Sequence, residues 1–180
     1  MAVLDNKKVA ILTENGFEES ELIKPKEALE AAGATVHIIS SSDSVKGWDH
    51  DHWSIELKTD KKIGEAKPDE YDGLMIPGGV INPDKMRGKK EYVEFAKHFL
   101  QEKKPLGAIC HGPQLLIETG MLNGRNMTSY NSIRTDLQNA GVKWEDKEVV
   151  VDEGLVTSRN PDDIPVFSKK LVEEIAEGIH

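Results

Sequence analysis

Three consecutive stretches decide how this chain folds: Lys8-Val-Ala-Ile-Leu-Thr13, then Glu21 to Ala32 closed by Gly33, then Thr35-Val-His-Ile-Ile-Ser40. The first and third are short apolar runs of the kind found in strands covered on both faces. The stretch between them spaces Leu22, Ile23, Leu29 and Ala32 helically and meets a glycine stop. Strand, helix and strand within about 35 residues form a unit whose crossover is parallel and right-handed. The same short runs return at Gly73-Leu-Met-Ile76, Leu106-Gly-Ala-Ile109 and Val149-Val-Val151, with helical spacing at Glu91–Glu102 and Gln114–Thr119 between them. From Asp162 to Ile179, the positions of Ile164, Phe167, Leu171, Val172 and Ile175 predict a closing helix with a capping aspartate. The pattern is that of an α/β doubly wound domain with a mostly parallel sheet and helices on both faces. One interruption, Val45 to Leu57, carries the polar turn Asp49-His50-Asp51-His52 between Trp48 and Trp53 and predicts a small added hairpin. No repeat or linker divides residues 1–180, so a single domain is expected.

In such a sheet the residues that follow each strand meet where ligands bind. Three junctions stand out: Glu14-Asn-Gly-Phe-Glu-Glu19, Pro77-Gly-Gly79 and Cys110-His-Gly-Pro113. Ala108-Ile-Cys-His-Gly112 has the form small-x-nucleophile-x-Gly, the signature of a strained turn that presents a nucleophile. A thiol at such a turn, beside a helix N-terminus, is expected to have a lowered pKa. Gly78 and Gly79 can turn backbone N–H groups into the cleft as an oxyanion site. Acidic residues at a helix start ordinarily serve the dipole, as Glu19 and Glu21 would. A carboxyl turned into a partly dry cleft, the role given to Glu18, gains a raised pKa and can carry a proton. His111 can reach the same cleft, and Asp84 is the candidate to orient it from another loop. The His50 and His52 run lacks the spacing of a zinc site and reads as a solvated turn. The flanking Trp48 and Trp53 suggest a subunit contact.

Composition narrows the classes further. With 32 acidic against 23 basic side chains, the net charge of -9 repels phosphate backbones, so nucleic acid is a poor partner. One cysteine cannot form an intrachain disulfide, which suits the cytoplasm. The leading residues carry no apolar signal stretch, and no run approaches a membrane span.

The segments Ala108-Ile-Cys-His-Gly-Pro-Gln114, Pro77-Gly-Gly79 and Gly16-Phe-Glu-Glu-Ser-Glu-Leu22 resemble the PfpI family, a branch of the ThiJ/PfpI, class I glutamine amidotransferase-like superfamily. The similarity extends through Thr128-Ser-Tyr130, Asp136–Gly141, Glu148–Asp152 and Thr157-Ser-Arg159. It implies a flavodoxin-like sandwich, a homodimer or larger homo-oligomer with sites near the interface, and no cofactor. By position it assigns the nucleophile to Cys110, the adjacent histidine to His111, the thiol-contacting glutamate to Glu18, and the oxyanion N–H groups to Gly79 and His111. The acid of a triad completed across subunits falls on Asp84, where the family's proteases usually carry the longer glutamate. Implied activities are cofactor-independent glyoxalase or deglycase chemistry on methylglyoxal-type aldehydes and glycated substrates, with peptide hydrolysis as the enzymatic alternative. A redox-sensing or chaperone-like stress role is the non-enzymatic one. Cys110 and Glu18 suffice for aldehyde chemistry, whereas amide hydrolysis also requires an oriented histidine.

Overall fold

The computed structural model describes residues 1–179; His180, the last residue of the expected 1–180 domain, lies outside the described residues. In chain order the elements are β1 Lys8–Leu12, β2 Phe17–Glu18, α1 Glu19–Ala31, β3 Thr35–Ser40, β4 Ser44–Asp49, β5 His52–Lys58, β6 Lys61–Lys62, β7 Gly73–Ile76, α2 Ile81–Arg87 and α3 Lys90–Gln101. There follow β8 Leu106–Ile109, α4 Pro113–Ile117, β9 Asn126–Met127, α5 Arg134–Asn139, β10 Lys143–Trp144, β11 Val150–Asp152, β12 Leu155–Ser158 and α6 Ile164–Glu177.

Seven strands form the central sheet in the order β11-β12-β8-β7-β1-β3-β6. Every pairing in it is parallel except β11 with β12. Alternation along β1 sends Val9 and Ile11 to one face and Ala10 and Leu12 to the other. On the first face α1 and α6 supply Leu22, Leu29, Phe167, Leu171 and Ile175; on the second α3 and α4 supply Tyr92, Phe95, Phe99, Leu115 and Leu116. The sheet is therefore covered on both sides, as its unbroken apolar strands require.

Two expectations change. The run at Val149–Val151 is not an inner strand: β11 is the antiparallel edge, and the strand beside β8 is β12. The chain reverses between them at Glu153 (φ 47°) and Gly154 (φ 83°), a tight turn that suits two strands of one hairpin. The closing helix also starts later than expected. Asn160 accepts from the Asp162 N–H in a 3-10 turn over Pro161–Asp163. Asp163 does not cap α6, because Arg159 claims its carboxylate through both backbone and guanidinium.

The expected hairpin is present as β4 and β5, with Trp48 opposite Trp53 and their rings edge-to-face at 5.2 Å. It is not free-standing. Phe17 and Glu18 form β2 and pair in parallel with Gly47 and Trp48, making a three-stranded sheet that lies over the loop after β1. Trp53 is exposed, whereas Trp48 is half-buried and faces the cleft described below. Among the described residues no helix is long and apolar enough to cross a membrane.

Candidate active site

Because β8, β7 and β1 are adjacent, the three unusual junctions meet at one end of the sheet. They enclose a cavity of about 510 Å³ lined by Glu18, Glu21, Trp48, His50, Gly79, Cys110, His111 and Tyr130.

Cys110 sits between β8 and α4 with φ 62°, a left-handed conformation that costs a non-glycine residue of order 1–3 kcal/mol. The surroundings hold it there: its N–H donates to Ser158 O at 3.0 Å, and its carbonyl accepts from the Tyr130 N–H at 2.9 Å. The backbone N–H groups of Gly79 and His111 are near enough to draw the thiol's pKa down. Gly79 has φ +82°, and a side-chain carbon there would lie 2.5 Å from Gly16 O. At Gly78 such a carbon would collide with the Glu21 carboxyl and with Cys110 Cβ, at 2.5 and 2.7 Å. The glycine pair therefore lets a strand end approach both the acid and the thiol.

The carboxyl that meets the sulfur belongs to Glu21, not Glu18. Glu21 is fully buried, and its carboxyl and the Cys110 thiol act on one another's titration through a hydrogen-bond interaction. Its Oε1 accepts from the Gly78 N–H at 3.1 Å, while Oε2 is buried with no hydrogen-bond partner among the described residues. Glu18, carried on β2, is turned toward the hairpin, where Oε1 accepts from the His50 N–H at 3.3 Å. The reason lies in the helix. Glu21, Leu22, Pro25 and Leu29 are the buried residues of α1 and make one inward stripe. A carboxyl standing on that apolar stripe is the sign in the sequence that separates Glu21 from an acid serving the helix dipole.

His111 is buried with its ring stacked on Tyr130 at 4.6 Å between centroids. Its Nδ1 lies 3.3 Å from Cys110 Sγ and its Nε2 3.2 Å from Ser132 Oγ. Asp84 is exposed on α2 and does not line the cavity, so within the chain it does not orient His111; a serine hydroxyl occupies that place. Nothing local in the sequence places Tyr130 and Ser132 beside His111: they lie some twenty residues beyond the turn, and the Tyr130 N–H bonds back to the Cys110 carbonyl.

Burial dominates the electrostatics. It pushes the Glu21 carboxyl up to about 8, so the acid is protonated at neutral pH. It also pushes the Cys110 thiol up, and a charged Glu21 would raise it further, against the pull of the Gly79 and His111 N–H groups. The expected lowering by a helix N-terminus fails for two reasons: α4 is only five residues long, and desolvation outweighs it. Thiol and acid are best treated as one titrating pair. When the sulfur is ionised and Glu21 keeps the proton, the thiolate is met by two N–H groups and one O–H. Burial raises Glu18 as well and lowers His111, which is therefore neutral at pH 7.

At the cavity mouth, ligand atoms of Glu18, Asp49 and His50 lie within 4.8 Å of one another, the donors that could gather a cation. His50 Nδ1 is engaged by Asp49 at 2.6 Å, and His52 is paired in the same way with Asp51.

The sequence profile of the DJ-1/PfpI family matches residues 7–174. An uncharacterized protein of Staphylococcus haemolyticus strain JCSC1435 is 46% identical over 171 residues, covering 94% of this chain and 98% of its own. The crystal structure of a two-domain protein from Anabaena variabilis ATCC 29413, containing DJ-1/ThiJ/PfpI-like and ferritin-like domains, superposes with a TM-score of 0.89 at 36% identity. It covers 94% of this chain, which spans about half (48%) of that longer protein. Drosophila melanogaster DJ-1beta superposes with a TM-score of 0.85 at 28% identity, covering 94% of this chain and 90% of its own. With a flavodoxin-like sheet, a cysteine at a strained strand–helix turn and a family match across nearly its whole length, this chain belongs to the DJ-1/PfpI family.

Proposed function

We propose that the chain is a cofactor-independent cysteine enzyme acting on small reactive carbonyls, glyoxalase- or deglycase-like in its chemistry. One observation carries the reading: Cys110 shares its cavity with the Glu21 carboxyl, with Gly79 and with His111, whose Nδ1 lies 3.3 Å from the sulfur. In this reading the thiolate adds to the aldehyde carbon of a 2-oxoaldehyde, and the new alkoxide takes the Glu21 proton to give a hemithioacetal. Glu21, now a carboxylate, removes the C1 proton and returns it to C2 while the C1 hydroxyl proton passes to the C2 oxygen, turning the ketone into an alcohol and C1 into a thioester. Water hydrolyses the thioester, releasing a 2-hydroxy acid and the thiol. Oxidation at C1 is balanced by reduction at C2, so no external redox partner enters.

The N–H groups of Gly79 and His111 stabilise oxygen charge at C1 as well as the sulfur. A peptidase would need an acid behind His111 to protonate a leaving amine, and within the chain that position holds Ser132. An Asp84 brought in by a neighbouring copy is the one route to that alternative. The test is to supply methylglyoxal and follow lactate: formation by the wild type, with loss in Cys110→Ala, is the expected result. No lactate from the wild type refutes the carbonyl reading, and peptide cleavage abolished by Asp84→Ala would put the peptidase in its place.

A further inference from the structure

We infer that Ser132 is a positioning residue for His111, holding the imidazole against the sulfur and giving the thiol proton a way out when substrate fills the cleft. The inference rests on the carbonyl-enzyme reading above and assigns the histidine a task within it.

Cys110 is 6% exposed and His111 is 8% exposed, so neither exchanges freely with solvent once the cavity is occupied. The ring bridges them to the surface: Sγ faces Nδ1 at 3.3 Å, and Nε2 faces the hydroxyl of exposed Ser132 at 3.2 Å. Stacking on Tyr130 prevents the ring from turning away. A hydroxyl can donate and accept in the same place, which a carboxylate cannot. The S–H bond breaks as Nδ1–H forms, Nε2–H passes to Oγ, and the serine's original proton leaves to water or buffer; the ring ends neutral in its other tautomer. A carboxylate at this place would instead stabilise the imidazolium, the state that suits expulsion of an amine. The titratable groups around the ring are Cys110 at Nδ1 and Tyr130 against its face, with Glu21, Glu18 and His50 lining the same cavity.

The experiment uses the full chain as wild type, Ser132→Ala, Ser132→Thr and Ser132→Asp. Two readouts are taken: the pH dependence of Cys110 alkylation by iodoacetamide, and kcat and KM for methylglyoxal. Ser132→Ala is expected to lower kcat roughly tenfold to a hundredfold, the scale of losing the partner that orients a functional histidine, with KM changed less than twofold and the alkylation midpoint moved upward. Ser132→Thr restores both. Ser132→Asp moves the acidic limb of the rate profile to higher pH, because the ring is then held protonated. Wild-type kcat and alkylation midpoint in Ser132→Ala would overturn the inference, as would failure of threonine to restore either in a variant with unaltered near-UV circular dichroism. If the wild type makes no lactate, the carbonyl reading falls, while the alkylation midpoints still decide the role of Ser132.

Discussion

Replacing Glu21 by glutamine separates the acid's cost to folding from its use in chemistry. The side chain has no exposed surface, and burial raises its pKa from the ordinary 4.5 to about 8. Between those values the unfolded chain has released a proton that the folded chain retains, so stability falls as pH rises through that window and is fullest below 4.5. The slope is about 1.4 kcal/mol per pH unit, which brings the penalty to about 3 kcal/mol by pH 7 and leaves it below about 1 kcal/mol at pH 5. Glutamine keeps the shape, cannot ionise and still offers an N–H to the sulfur. Glu21→Gln should therefore be more stable than the wild type by about 3 kcal/mol at pH 7, with the difference vanishing toward pH 4.5. Catalytically it should be dead, because an amide cannot carry the proton from C1 to C2. Urea unfolding of both proteins across pH 4.5 to 8, beside lactate formation, measures the two effects. A stability difference that does not change with pH would show that Glu21 ionises normally and would refute the shared-proton description of the site. A stable variant with wild-type turnover would refute the acid's role.

Three further outcomes follow from the same geometry. Glu18→Gln should retain turnover within about tenfold while Glu21→Gln loses it, since Glu18 bonds to the hairpin rather than to the sulfur; the reverse order in a side-by-side rate measurement would return the proton to Glu18. Gly79→Ala forces a side chain into φ +82° and against Gly16 O. It should cost about 1–3 kcal/mol in denaturant unfolding and raise the pH midpoint of Cys110 alkylation by displacing an N–H from the sulfur. Asp84→Ala, on the exposed side of α2, should leave stability within about 0.5 kcal/mol and lactate formation unchanged; lost turnover would mean that a neighbouring copy brings its Asp84 to His111.

The layered architecture is legible in the residues, because a parallel strand buried on both faces needs a mostly apolar run, and β1, β3, β7 and β8 each carry one. The turn that holds Cys110 was legible too, since the cysteine with Gly112 and Pro113 is a local arrangement written in adjacent residues. The hairpin was visible for the same reason, its two tryptophans flanking a polar turn. Which strand lies beside β8 was not visible: β11 and β12 are short, and their places depend on a reversal at Gly154 that lets the chain present either strand to the sheet. Which of three neighbouring glutamates meets the thiol depends on packing. Glu18, Glu19 and Glu21 are alike in type and in distance along the chain, and the choice is made by the rotation of α1 as it buries Leu22, Pro25 and Leu29. The hydroxyl behind His111 was hidden likewise, for Ser132 reaches the ring through a loop tied to the Cys110 carbonyl. Composition and periodicity report what a residue does to its own segment, whereas the chemistry here depends on which segments pack together and on how little water they leave between them.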